Sequence, residues 1–175
     1  NLWMARCYAG TVMLEGTTLS EGRGTTRPLE VFGTPDLEPR TVLETMHSLA
    51  PHWLQGCRLR ECWFEPTFHK HAGTLCAGAQ IHVEDGTYDH HTFRPWRLIA
   101  LALKAIRTRR PDYGLWRDFP YEYEHDRLAI DLITGSELLR QWVDDPTAGP
   151  ADLDDLTAPD EASWREERDS VLLYR

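Results

Sequence analysis

The chain has 175 residues, 41% of them hydrophobic and 27% charged, with a formal net charge of -9. That size and balance suit one globular domain able to bury a core, and no apolar run approaches the length needed to cross a bilayer. The acidic balance excludes a nucleic-acid-binding surface, which needs clustered Lys and Arg; the one dense basic run, residues 104–110, reads as the solvated end of a helix.

The chain opens on Asn1-Leu2-Trp3, without a Met or a charged-then-apolar leader, and reads as the interior of a longer protein. Residues 11–15, Thr-Val-Met-Leu-Glu, are expected to form a short buried strand. It runs into a polar loop, residues 16–27, with three glycines, four threonines and no periodicity. Pro28 ends the loop, residues 29–32 read as a second short strand, and Gly33-Thr34-Pro35 breaks the chain. The stripe Val42, Leu43, Met46 and Leu49 predicts a helix over 40–50, stopped by Pro51.

Residues 57–64, rich in aromatic and apolar side chains, read as a strand that Pro66 closes. Residues 77–84 alternate cleanly. Ala77, Ala79, Ile81 and Val83 share one face, and Gly78, Gln80, His82 and Glu84 the other. Pro95 fits the first position of a helix over 95–109, with Trp96, Ile99, Leu103 and Ile106 as its core stripe. Its middle is apolar almost all round, which marks it as central.

An aromatic-rich linker (Tyr113, Trp116, Phe119, Tyr121, Tyr123) leads to helical stretches near 126–133 and 136–143. Its rings suit packing against helices or stacking on sugar. Residues 144–160 hold nine Asp or Pro and read as a surface loop. A helix near 161–169 then feeds an apolar tail, Val171 to Tyr174. Strands come early and helices late, with few strict strand–helix–strand units. The expectation is a single α+β domain, an antiparallel or mixed sheet covered by helices.

The four cysteines (Cys7, Cys57, Cys62, Cys76) show no CxxC and no disulfide framework, so they read as small buried groups. Cys57 and Cys62, an odd number of residues apart in one strand, face opposite ways. The histidines invite a metal reading, because His69 and His71 would share a face on a strand. Pro66 argues for a loop there, and no carboxylate or cysteine falls at a supporting spacing. Neither a metal nor a cofactor is expected.

The stretch Glu15 to Pro28 carries the chemistry. It can offer backbone N–H groups, hydroxyls, two carboxylates and two guanidinium groups to a polyhydroxylated or anionic ligand, with Gly16, Gly22 and Gly24 free to take positive φ. The alternative is a long turn whose Ser and Thr satisfy their own backbone.

The run Glu15-Gly16-Thr17, Ser20-Glu21-Gly22-Arg23-Gly24-Thr25-Thr26 and Pro28 resembles the signature of the exo-β-N-acetylmuramidase NamZ family. Weaker matches follow in order. These are Pro66-Thr67-Phe68 with Lys70 and Gly73, Cys76, Gly78, Gln80-Ile81-His82-Val83, Phe93-Arg94-Pro95, Asp126-Arg127-Leu128 and Leu172-Leu173-Tyr174. Thr18 stands where the family usually has Asn, and Leu29 where it usually has Phe.

The resemblance implies that residues 1–175 are the carboxy-terminal domain of a two-domain enzyme. A Rossmann-like amino-terminal domain would complete a cleft between the two. The implied reaction releases terminal N-acetylmuramic acid from peptidoglycan fragments, in a bacterial, secreted or periplasmic protein. The partners are then the preceding domain and peptidoglycan, with no nucleic acid and no membrane span.

Glycoside cleavage needs a proton donor and usually a second carboxylate. Glu15 is the local catalytic candidate: at the end of an apolar strand, partial burial would favour its protonated form. Alternatively it is tied to loop N–H groups or to Arg23. Glu21 reads as an ion-pair partner that shapes the loop and borders the substrate. Arg23 or Arg27 could pair with a substrate carboxylate. Thr17, Ser20, Thr25 and Thr26 offer hydroxyls, and Gln80 and His82 share a strand face that could line the same cleft. The second carboxylate could come from the preceding domain. The rival reading is a module that binds carbohydrate or docks onto a partner without cleaving anything.

Overall fold

An apolar stretch with no polar side to turn outward must be surrounded by other elements. Residues 98–106 are buried at every position. They lie in helix α3 (Pro95–Arg109), and α1 (Leu2–Thr11), α2 (Pro39–Leu49) and α5 (Leu138–Asp144) pack around it. Each such Leu or Ile contributes about 1.5–3 kcal/mol through removal from water. The computed structural model describes residues 1–173.

Lys104 is the one charged residue in that buried run. Its ammonium donates to the carbonyls of Trp142 (2.8 Å) and Asp145, at the end of α5. There it satisfies acceptors that a helix terminus leaves open. Burial pulls its pKa down, against the opposing pull of Asp145.

The sheet is antiparallel, in the order β1 (Val31–Thr34), β3 (Cys76–His82), β2 (Arg58–Phe64). With the helices it makes the expected α+β domain. Phe32, Ala79 and Ile81 on one face join the core with Val83 just beyond the strand. The other face of β3 is not solvated along its length: Gln80 is 5% exposed and Gly78 is buried. Gly78 lies opposite Gly33 of β1, where an added Cβ would meet the Phe32 carbonyl oxygen at 1.8 Å. The polar loop also binds back onto β1. Ser20 and Gly33 exchange two backbone hydrogen bonds (2.8 and 3.0 Å).

Four sequence expectations are corrected. Residues 11–15 are not a strand. Asn1 caps α1 through Met4 N (2.7 Å), and the chain continues into a 3-10 turn, Val12–Gly16. A short apolar run fits a buried helical turn as well as a strand, and periodicity alone does not decide. The strand expected over 29–32 lies at 31–34, because Leu29 takes φ 64° and cannot extend the ladder.

Residues 144–160 are mostly helix. The helix α6 spans Pro150–Asp169, with Pro150 in its first turn and Asp152 accepting from Gly149 N (2.6 Å). Proline and aspartate at these positions start helices rather than break them. Finally, Cys57 precedes β2 rather than lying in it. The short helix α4 (Ala129–Ile133) packs on the 3-10 turn.

All four cysteines are free, and burial pushes the Cys7 and Cys57 thiols up to about 12. In the apolar tail Val171 and Leu173 are exposed, and Tyr174 lies outside the described residues.

Candidate functional site

Glu15 stands near the end of the 3-10 turn, between Leu14, which is buried, and Gly16. Gly16 does not take positive φ; a Cβ there would meet Ile130 N of α4 at 2.6 Å, so the residue serves close packing. Gly22 and Gly24 do take positive φ, 76° each. At Gly24 a Cβ would also strike Thr67 N at 2.7 Å, so the loop lies directly on the segment that follows β2.

The Glu15 side chain is 20% exposed. Arg23 Nη2 donates to its Oε1, and the Tyr121 hydroxyl donates to Oε2 at 3.1 Å. The carboxylate therefore faces a guanidinium and a phenol, not the apolar wall that a strand terminus would have supplied. Of the two sequence readings of its surroundings, the tie to Arg23 is the one observed.

Arg23 also donates through Nε to Glu21 Oε1 at 2.6 Å, so it bridges the two carboxylates. The Glu21 side chain is fully buried. Lys70 lies 2.7 Å from its Oε2 and donates to the carbonyls of Leu14 (2.6 Å) and Thr17 (3.2 Å). The two carbonyls take hydrogen bonds from the ammonium, and its charge faces Glu21 Oε2, which accepts no hydrogen bond of its own. Lys70 thus grips the backbone on both sides of Glu15 and, through Glu21 and Arg23, its side chain.

Burial would push Glu21 up, but the Lys70 charge and the bond from Arg23 outweigh it and hold it below the usual carboxylate range. Burial pulls Lys70 down, with Glu21 opposing. Burial and then the Glu15 charge push the Tyr121 hydroxyl up to about 12, so it remains a donor.

Arg27, Gln80 and His82 form a second cluster. Arg60 donates through Nη2 to Gln80 Oε1 and through Nε to His82 Nε2 (2.9 Å). With Nε2 accepting, the ring proton is assigned to Nδ1, which lies 3.1 Å from Glu84 Oε1. Arg27 binds the buried Glu30 carboxylate (3.0 Å) and lies 3.9 Å from Glu84. The two loop arginines therefore serve different carboxylates.

The hydroxyls mostly serve their own backbone, as the alternative reading of the loop had it. Thr17 donates to Leu14 O (2.9 Å), Ser20 accepts from Gly22 N (3.1 Å), and Thr25 donates to Gly22 O (2.7 Å). Thr17 and Ser20 are buried, while Thr26 is exposed. Thr18, one of the departures from the family pattern, donates its hydroxyl to Gly114 O (2.9 Å), and its carbonyl accepts from His71 Nε2 (2.7 Å).

Sequence reasoning did not assign Lys70, Arg60 or Tyr121 to the site. Lys70 was visible only as a residue matching the family pattern, and Tyr121 only as part of an aromatic linker. A cavity of about 810 Å³ between the start of α3 and α6 is lined by His52, Trp96, Arg97, Asp154 and Glu161 among others. It contains none of the expected site residues, and Glu15 instead opens onto the surface beside Tyr121.

The family model described as "Exo-beta-N-acetylmuramidase NamZ, C-terminal" matches residues 6–174. The chain is 47% identical over 78 residues to the peptidoglycan beta-N-acetylmuramidase NamZ of Bacillus subtilis (strain 168), covering 45% of this chain and 18% of the relative. A DUF1343 family protein from Bacteroides fragilis NCTC 9343 superposes with a TM-score of 0.76 at 19% identity, over 98% of this chain and 42% of that one. A second from the same organism gives 0.61 at 17% identity, over 100% and 42%. At these identities the two structures bear on the fold alone, and this chain spans less than half of their length. The match over nearly the whole chain makes it a member of the family of NamZ carboxy-terminal domains.

Proposed function

We propose that this domain forms one wall of a cleft in which a peptidoglycan fragment loses a terminal N-acetylmuramic acid. The rest of the cleft would come from a preceding Rossmann-like domain. Glu15 would be one of the two carboxylates of the reaction. The observation that carries this reading is the arrangement around Glu15: a partly exposed carboxylate held at both oxygens, on a turn gripped from both sides by a buried lysine. Family membership and the name of the Bacillus subtilis relative support the substrate class.

The geometry favours one half of the chemistry for Glu15. Both of its contacts are donated to it, so it is set as a base, a nucleophile or a counter-charge to the oxocarbenium-like transition state. The proton donor then belongs to the other wall. Arg23, half committed to Glu21, remains 41% exposed and could also meet an anionic sugar substituent. Exposed Trp63, Phe68 and Leu75 lie near the β2–β3 connection that borders the loop, where a second domain would cover them.

The test compares the full-length protein with residues 1–175 alone on a chromogenic N-acetylmuramic acid glycoside. Turnover by the full-length protein and none by the domain is the expected result. Steady turnover by the domain alone would mean that the active site lies within it. A domain that binds muropeptides unaided, in a full-length protein without turnover, would favour a binding module.

A further inference from the structure

Residues 121–124 close a two-residue hairpin: Tyr121 N donates to Glu124 O (3.1 Å) and Glu124 N to Tyr121 O (2.9 Å). Its central residues, Glu122 and Tyr123, have φ of 49° and 71°. Such a turn favours Asn-Gly or Asp-Gly, because both central positions need the left-handed region. A glutamate and a tyrosine there are strained, and that strain raises a functional question.

The strain places an aromatic ring in water. Tyr123 is 96% exposed, the most exposed of the large hydrophobic side chains among the described residues. The hairpin is nonetheless held in place. Tyr121 donates to Glu15 Oε2, Phe119 meets Tyr121 edge-on (6.0 Å between centroids), and the Arg117 guanidinium lies 4.0 Å over the Phe119 ring. Arg117 N also donates to Gly16 O at 3.1 Å. An exposed ring on an anchored arm, two residues from the partner of Glu15, is a presented surface.

We infer that Tyr123 is a sugar-stacking residue of the same site, which rests on the function proposed above. The surroundings define the ring it would take. Asp118, Glu122, Glu124 and Asp126 outnumber Arg117 and Arg127 in the arm, so an anionic sugar is repelled and an uncharged pyranose is preferred. An uncharged N-acetylhexosamine next to the muramic acid would place its C–H face on the tyrosine ring. Its hydroxyls would meet the polar rim, whereas an apolar protein surface would leave those carboxylates without partners.

The test replaces both turn residues in the full-length protein, Glu122→Asn with Tyr123→Gly, which removes the ring while giving the turn the residues it favours. Tyr123→Trp is the conservative comparison. The probe is a muramic acid–N-acetylglucosamine disaccharide, followed by turnover and by a binding titration. The double variant is expected to raise KM and Kd roughly tenfold, with kcat within about twofold, an unchanged or higher Tm and recovery in Tyr123→Trp.

Unchanged KM and Kd in the double variant of a protein that cleaves the disaccharide would overturn this inference and leave the proposed function intact. Binding without cleavage, lost in the double variant, would overturn the proposed function and keep the stacking role. A protein that neither binds nor cleaves the disaccharide would overturn both. A drop in Tm together with kcat, not rescued by Trp, would make Tyr123 a docking residue for the preceding domain and overturn the stacking role.

Discussion

Arg23 and Arg27 lie on one loop, four residues apart and about equally exposed, yet they belong to two different kinds of site. Arg23 joins a network whose other end is buried, with Glu21 fully covered and Lys70 8% exposed. Arg27 sits above Glu30 and Glu84, with Arg60 tying Gln80 to His82 beside it. A buried charge pair is costly to break from one side, because the remaining ion has no water to return to. Glu21 keeps Lys70 if Arg23 is lost, whereas Glu30, equally buried, keeps the Asn1 amide (3.2 Å) if Arg27 is lost. The same residue type therefore links a partly exposed carboxylate to a buried one in the first place, and supplies the cation paired with a buried carboxylate in the second.

The largest expected stability effect follows from Lys70. Lys70→Met leaves the buried Glu21 with Arg23 as its remaining cationic partner and should destabilise the domain by about 3 kcal/mol. For a domain of this size that lowers Tm by on the order of 10 °C. Adding Glu21→Gln should restore part of the loss, and calorimetry of the single and double variants measures the coupling. A Lys70→Met protein of ordinary stability would mean that the pair does not organise the loop.

The same pair sets an acid limit. Glu21 is held below its ordinary value of 4.5, so its contribution is present above that pH. It is lost as pH falls through the lowered folded value. In Lys70→Met that acid limb should become shallower, as denaturant melts between neutral and acid pH would register.

Smaller effects separate the two arginines. Arg23→Ala removes the bridge between Glu15 and Glu21, and should lower kcat/KM of the full-length protein by about tenfold or more, the size of one charge-assisted bond. Arg27→Ala leaves the buried Glu30 with the Asn1 amide and should destabilise the domain by about 1–3 kcal/mol, while changing kcat/KM only a few-fold. Equal effects of the two substitutions on turnover would remove the contrast between the clusters.

What could be read from the chain alone follows the range of the interactions involved. The helix α3 and the strand β3 were legible because periodicity is local, and each holds one pattern through its length. The helix α6 was hidden by a count of Asp and Pro. The spacing of Asp154, Thr157 and Glu161, all three bound to Arg97, carried the helical signal instead. Residues 12–16 were too short for any period to speak.

At the site, the link from Glu15 to Arg23 spans one loop and stood among the sequence readings. Lys70 reaches Leu14 across 56 positions and Tyr121 reaches Glu15 across 106, and no pattern in one sequence joins such residues. The hydroxyls went to their own backbone because a buried loop must satisfy its N–H and C=O groups before it can offer anything to a ligand.

If the buried side of this network serves to hold Glu15 for reaction, turnover must depend on the Glu15 carboxylate itself. Glu15→Gln in the full-length protein tests it directly, through kcat on a muramic acid glycoside and Tm measured on the same preparation. The expected result is a fall in kcat of roughly two or more orders of magnitude, since an amide keeps the shape but loses the charge and the basicity. Tm should move little, because Lys70, Glu21 and Arg23 still pair. Near-normal kcat with a lowered Tm would contradict the account and make Glu15 an anchor of the loop, with both carboxylates of the reaction on the other wall.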